Sequence, residues 1–255
     1  MPQRASASIV TFNNALQIPG LLESMRRFTD FDERELFVID NASDDAISEL
    51  LKTRFSQVRL LQNERNLGFG TAHNKALPFL DSRYHVLINP DILFVEDALS
   101  PLLAFLDEHP EVAMATCRIL NPDGSEQKLP KLQPRLKYLL ARRFERRFGW
   151  ARRLCRAYVR ADEDFDAPTE IETCTGSFSV IRTEVFRRIG GFDERFFLYF
   201  EDNDLSRRAR EYGSLIFYPQ VSVIHQYQRL AMSNNRAFLQ QIRSMVRYFN
   251  KYGWR

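Results

Sequence analysis

Several polar stretches of this 255-residue chain stand directly after apolar runs and hold residue types that could do chemistry. Asn89-Pro90-Asp91 follows Leu87-Ile88. A carboxylate there can hold a hard divalent cation, Mg2+ or Mn2+, and bridge the protein to a diphosphate. The same three residues also make an ordinary turn. Asp40 lies within Val38-Ile39-Asp40-Asn41-Ala42-Ser43. Its carboxylate can accept hydrogen bonds from a nucleobase imide or a ribose hydroxyl, or cap the helix that follows. Asn66-Leu67-Gly68-Phe69-Gly70-Thr71-Ala72 leads into a helix. Its glycines let backbone amides approach a ligand, and the helix N-terminus favours anions. It is neither a dinucleotide fingerprint nor a Walker loop, because the third glycine and the Gly-Lys pair are missing.

Three acids, Glu201, Asp202 and Asp204, follow the apolar run Phe196-Phe197-Leu198-Tyr199-Phe200. They fit the first turn of a helix, where acids complement the dipole. They also fit a general base that takes a proton from a hydroxyl, with the apolar run desolvating the carboxylates and raising their pKa. His225 follows Val223-Ile224. A lone histidine is usually structural, so this one matters only if the fold brings it to Asp91.

The elements that must position these groups can be read from periodicity. Strands are expected over 8–12, 36–39, 58–61, 84–88 and 112–116. Between them lie helical patterns: one from Pro19 with Leu21, Leu22, Met25 and Phe28, one over 70–80 and one over 96–108. This rhythm predicts an α/β fold with a mostly parallel, Rossmann-like sheet and helices on both faces. Such sheets bind ligands at the carboxyl edge of their strands. Asn13-Asn14, Asp40 to Ser43, Asn63 to Gly70 and Asn89 to Asp91 would all line that edge. Beyond the turn Asn121-Pro122-Asp123-Gly124 the pattern changes. Residues 138–159 read as a basic amphipathic helix or helix pair broken at Gly149, and 171–181 as a strand. A turn at Gly190-Gly191-Phe192, a helix over 203–212, strands near Leu215 and Val221, and a last helix over 235–249 follow.

Composition narrows the class. With 44% hydrophobic and 27% charged residues the chain is an ordinary globular one. No apolar run approaches the roughly 18–20 residues of a membrane span, and the N-terminus lacks a signal-peptide pattern, so a cytoplasmic location is expected. Cys117, Cys155 and Cys174 are far apart, which excludes a disulfide framework or a zinc knuckle. Residues 128–160 hold 12 Lys/Arg against the single acid Glu145. That local charge of +11 leaves −8 for the rest of a chain whose net charge is +3. A basic segment on an otherwise acidic protein suggests a site for something anionic.

Taken in order, these segments resemble glycosyltransferase family 2, inverting enzymes with a GT-A fold, and most closely its rhamnosyltransferase-like branch. The resemblance rests on Ser8-Ile9-Val10-Thr11-Phe12-Asn13, Ile39 to Ser43, Asn66 to Gly70, Leu87 to Asp91, Gly190 to Phe197 and Tyr199 to Leu205, with Arg243 to Tyr252 at the end. It implies that residues 1–120 form a nucleotide-sugar-binding half and 121–255 an acceptor-binding, catalytic-base half of one continuous domain. Thr11, Phe12, Asn13, Asp40, Asn66, Gly68, Gly70 and Asn74 would line the nucleotide site. Asp91 would bind Mg2+ or Mn2+. Asn89 replaces the leading acid of the family's Asp-x-Asp motif and would contact ribose. His225 would complete the metal or diphosphate site. Asp202 would be the catalytic base, with Gly176 and Glu201 on the acceptor side. The likeness suggests dTDP-L-rhamnose as donor, with UDP- and GDP-sugars open, and a saccharide or polyprenyl-diphosphate-linked acceptor in surface-polysaccharide synthesis.

Residues 138–160 suit contact with anionic lipid heads or with that diphosphate; the alternative is a solvated charged face. No base-reading motif accompanies the arginine pairs, which speaks against nucleic acid. A sugar nucleotidyltransferase shares the general fold, but Thr11-Phe12-Asn13-Asn14 offers no Gly-rich basic loop for a triphosphate. A catalytically inactive sugar-nucleotide-binding module is the other alternative.

Overall fold

The first half of the chain alternates strand and helix: β1 (Ala5–Thr11), α1 (Ile18–Phe28), β2 (Leu36–Asp40), α2 (Ile47–Arg54), β3 (Arg59–Gln62), α3 (Phe69–His73), β4 (Tyr84–Ile88), β5 (Ile92–Phe94), α4 (Leu99–Glu108) and β6 (Val112–Leu120). Then come α5 (Leu136–Phe144), α6 (Gly149–Tyr158), β7 (Thr169–Glu170), β8 (Phe178–Arg182), α7 (Thr183–Arg188), α8 (Glu201–Ala209), β9 (Ser214–His225) and α9 (Asn235–Tyr252). The structure is a computed structural model that describes residues 4–127, 129–226 and 235–254. Lys128 of the basic segment lies outside the described residues.

One sheet runs through both halves in the order β3-β2-β1-β4-β8-β6-β9-β5, with β7 beside β9. The four strands β3 to β4 of this order are parallel. β8 enters antiparallel between β4 and β6 and interrupts the parallel order. β9 runs parallel to β6 and antiparallel to β5 and β7.

The central strands are buried throughout because both faces are covered. Ala7, Ile9, Val38, Val86 and Ile88 pack with Leu21, Leu22, Ile47, Leu51 and Leu102 of α1, α2 and α4. Val10, Phe37, Ile39 and Leu87 point the other way, toward Ala72, Phe186, Leu205 and Ala209 of α3, α7 and α8. The helices follow the same logic. In α1 the buried residues Ile18, Leu21, Leu22 and Met25 recur every three or four positions, and Pro19 sits in the first turn, where its missing N–H is harmless.

Three local readings change, and the expected helix pair broken near Gly149 is found. The expected 70–80 helix is α3 followed by a tighter 3-10 turn over 74–79 that contains Pro78, which cannot continue an α-ladder. The expected 171–181 strand survives only as β8, and 171–177 leave the sheet. The strands near Leu215 and Val221 are one strand, β9, with an irregularity opposite Cys117 and Arg118. The basic segment is a helical hairpin that turns over 145–148, just before Gly149.

Candidate active site

At the carboxyl edge, β1 ends with the buried Thr11, whose hydroxyl donates to the Ile39 carbonyl at 3.3 Å. The next side chain, Phe12, is 45% exposed, an aromatic face set beside a strand end. Asn13 adopts φ 59° and stitches two loops together. Its N–H donates to Ser43 Oγ at 3.0 Å and its Oδ1 accepts from the Asp44 N–H at 2.8 Å. Asp40 accepts from the Ser43 N–H and from Ser48 Oγ, both at 2.9 Å. Its carboxylate therefore braces its own loop while lone pairs remain for a ligand.

Asn41, which the motif reading passed over, is the hub of the next loop. Its Nδ2 donates to Asn66 Oδ1 at 2.9 Å, and its Oδ1 accepts from Asn63 Nδ2 at 3.0 Å and the Leu67 N–H at 2.9 Å. Only its place beside Asp40 could have marked it. Gly68 takes φ +85°, and a Cβ there would run into the Phe197 carbonyl. The Phe69 N–H donates to that same carbonyl at 2.9 Å. Gly70 lies under Phe192, whose Cβ would be 2.7 Å from an added Cβ. Asn74 clasps the Phe192 backbone, donating to its carbonyl at 2.9 Å and accepting from its N–H at 2.8 Å. Gly68, Gly70 and Asn74 thus tie the nucleotide-side loop to the segment that precedes α8. For Asn74 this occupies both ends of the amide.

Asp91 and His225 meet. The three-residue β5 begins one residue after Asp91 and pairs Ile92 with His225. His225 Nε2 then lies 3.1 Å from Asp91 Oδ1, and the Gln226 N–H donates to the Asp91 carbonyl at 2.9 Å. Asn89 turns its Nδ2 toward His225 Nε2 at 3.4 Å, while its buried Oδ1 has no hydrogen-bond partner. A carboxylate and an imidazole meet, and the neighbouring Asn89 has a buried amide oxygen with no hydrogen-bond partner among the described residues. Among the described residues no third His, Cys, Asp or Glu joins them to complete a metal cage. That donor set fits a divalent ion whose other positions are filled by substrate phosphate and water.

The acids stand at the start of α8. Tyr199 and Phe200 both have positive φ, 69° and 67°, a conformation costing non-glycine residues about 1–3 kcal/mol each. Phe200 is held there by Tyr248 and Phe249 of α9. The two strained residues set Glu201 in buried surroundings with Asp202 half-buried beside it. Burial pushes the Glu201 carboxyl up to about 8, with the Asp202 charge adding to it, and Glu201 Oε2 has no hydrogen-bond partner. Burial also raises Asp202. The Asn203 N–H, the Lys131 charge and the Gly176 N–H oppose that rise. Asp202 Oδ1 accepts from the Asn203 N–H at 2.8 Å. Gly176 backs Asp202, and a Cβ on it would lie 3.5 Å from the Asp202 Cβ.

The 175–177 segment links the two ends. Gly176 touches Asp202, and the neighbouring Ser177 carbonyl accepts from the Asn89 N–H at 2.8 Å. A bound sugar between them would meet a carboxylate on one side and a cation site on the other.

Comparison with known proteins follows this geometry. The family profile described as Glycosyl transferase family 2 matches residues 6–190, and that of the N-terminal domain of galactosyltransferase matches 156–232. The chain is 28% identical over 235 residues to N-acetylglucosaminyl-diphospho-decaprenol L-rhamnosyltransferase of Mycobacterium tuberculosis, covering 85% of this chain and 74% of that protein. It is 25% identical over 199 residues to rhamnosyltransferase WbbL of Escherichia coli K12, covering 71% and 69%. The solved structure of GalNAc-T7 with UDP, GalNAc and Mn2+ superposes with a TM-score of 0.65 at 15% identity. It covers 96% of this chain, which spans about half (48%) of that protein.

Proposed function

We propose that this chain, which belongs to glycosyltransferase family 2, transfers L-rhamnose from a nucleotide diphosphate to a sugar carried on a polyprenyl diphosphate, with inversion. That the chain is a glycosyltransferase follows from the family, and the nucleotidyltransferase and inactive-module alternatives find no support. The choice of rhamnose and of the lipid-linked acceptor draws on the relatives in Mycobacterium tuberculosis and Escherichia coli. The observation that carries the reading is the 175–177 segment, with the Asp91–His225 pair near one end and Asp202 at the other.

Transfer forms a bond from an acceptor hydroxyl oxygen to the anomeric carbon and breaks that carbon's bond to the diphosphate. The transition state is oxocarbenium-like, with negative charge building on the leaving group. Asp202 takes the acceptor's proton, and its burial strengthens it as a base. Glu201, whose carboxyl is pushed up to about 8 by burial and by the Asp202 charge, stands beside Asp202 and offers its unpartnered oxygen to the acceptor. Asp91 and His225 would hold the divalent cation, which when bound neutralises charge on the leaving diphosphate. A mixed carboxylate and imidazole set suits Mn2+ better than Mg2+. Thr11, Phe12, Asn13 and Asp40 receive the base and ribose, with Asn89 beside the ribose and the 66–70 loop alongside.

Among the described residues no helix is long and apolar enough to cross a membrane. The α5–α6 hairpin nevertheless suits an anionic bilayer surface. Its turn exposes Phe144, Phe148 and Trp150 by 40–54%, with ring centroids 6.1–6.3 Å apart. Arginines 142, 143, 146, 147, 152 and 153 surround them. Co-sedimentation with anionic vesicles should fall with added salt and with Trp150→Ala; equal recovery on neutral vesicles would remove this docking role.

The central test is a donor panel. With Mn2+ and N-acetylglucosaminyl diphosphate on an alkyl tail as acceptor, dTDP-L-rhamnose should give product and UDP- or GDP-sugars little. NMR should show an inverted linkage. A retained configuration, or nucleotide release that ignores the acceptor, ends the reading.

A further inference from the structure

On the same side as the proposed base, Asp202, stands a cation with no side-chain partner among the described residues. Lys131 lies in the segment between the end of β6 and α5, and that segment is sewn to the wall behind Asp202. Thr173 Oγ1 donates to the Lys131 carbonyl at 2.8 Å, and the Leu132 N–H donates to the Tyr158 carbonyl at 3.0 Å. The Gln133 N–H donates to Glu172 Oε2 at 2.6 Å, and Tyr248 Oη donates to Gln133 Oε1 at 2.5 Å. Residues 172 and 173 run straight on to Gly176, the glycine in contact with Asp202.

So held, the Lys131 side chain is half-buried and makes no hydrogen bond or ion pair within 4 Å among the described residues. Its nearest charges are Asp202, which attracts it, and Arg142 of α5, which repels it; burial is the larger influence and lowers its pKa. Tyr158, stacked on Tyr138 at 5.1 Å, belongs to the same wall, where burial and then the Asp202 charge raise its phenol to about 12. Lys131 is half-buried with no anion in ion-pair range among the described residues, and the exposed Arg142 adds a second positive charge near it, so an anion bound between them would be matched on both sides. The donor diphosphate does not supply that anion, because its place is at Asp91 and His225, beyond the 175–177 segment.

We propose that Lys131, with Arg142 at the rim, binds the diphosphate of the acceptor and so presents the acceptor hydroxyl to Asp202. This rests on the proposed lipid-diphosphate acceptor. Arg142 also lies two residues before Phe144 of the exposed aromatic turn, so a lipid tail leaving the diphosphate has a path along α5 to the bilayer.

The test separates the two diphosphates and also stands apart from the acceptor reading. With Mn2+ and saturating dTDP filling the donor site, titration of dodecyl diphosphate into the full chain by calorimetry should show binding. Lys131→Ala should weaken it at least tenfold, Arg142→Ala less, and Lys131→Arg should restore most of it. In transfer assays the ratio of kcat/KM for N-acetylglucosaminyl diphosphate on an alkyl tail to that for the plain alkyl glycoside should fall at least tenfold in Lys131→Ala. Any change in Asp202 basicity cancels in that ratio. No binding by the wild type, equal losses on both acceptors, or an effect confined to donor KM would overturn the proposal. If the wild type binds dodecyl diphosphate through Lys131 but uses neither acceptor, the proposed acceptor sugar fails and the diphosphate site stands.

Discussion

The two sides of α8 treat their acids in opposite ways. On the side facing α9, Asp204 is fully buried and saturated: Arg208 Nε at 2.7 Å, Lys251 Nζ at 2.5 Å and Tyr252 Oη at 2.7 Å all donate to it. On the side facing the 175–177 segment, Glu201 and Asp202 have no cation within 4 Å among the described residues, only amide donors and the more distant Lys131. Glu201 is buried as Asp204 is, and Asp202 is half-buried, so compensation is the larger difference. A buried carboxylate with its charge neutralised is an anchor, while one without is poised to take a proton. Sequence spacing alone puts the three acids in one turn; their partners divide the labour.

Exchanging a single oxygen for nitrogen on each side is the sharpest way to test that division. Asp202→Asn should cut turnover by about 10²–10⁴-fold, the usual worth of a positioned base. Donor affinity by calorimetry should stay within twofold and stability should not fall. Near-wild-type turnover would erase the distinction. Asp204→Asn should do the reverse. It strands Arg208 and Lys251 beside a buried neutral amide, at a cost of about 3–5 kcal/mol in urea unfolding, with a smaller loss of turnover in the folded fraction. If its stability matched wild type, the anchor role would be wrong.

Glu201→Gln should give the smallest effect, and one that depends on pH. Glu201 is raised to about 8 in the fold, above its ordinary value of 4.5, so the folded state holds a proton that the unfolded chain releases. Its contribution to stability is full below about pH 4.5 and is lost as pH rises through about 8. The glutamine cannot ionise, so the variant should match wild type near pH 5 and exceed it at pH 9. Parallel curves at both pH values would mean that Glu201 is not held neutral.

The strands and the donor edge were legible because their signals are local. Ile39-Asp40 and Ile88-Asn89 announce a strand end by a change from apolar to polar within two residues. What stayed hidden depends on partners distant in the chain. β5 is only three residues long, too short to carry a period, yet it brings Asp91 to His225. The break at 171–177 reads as strand by composition, and only the neighbouring elements pull it out of the sheet to face Asp202. Asn74 looks like a pocket residue in its motif, but the backbone of Phe192, 118 residues away, claims its amide. Lys131 was lost among 12 basic residues because nothing local distinguishes the one that the fold sets near Asp202.

The short β5–β9 ladder also sets a clock. Asn89 and His225 are 136 residues apart, and the strand carrying His225 is the last one in the sheet. During synthesis the nucleotide edge of β1, β2 and β4 can assemble early, while the imidazole is still to be made. On the proposed assignment, every residue for the donor's base therefore precedes in the chain the imidazole that would help hold its leaving group.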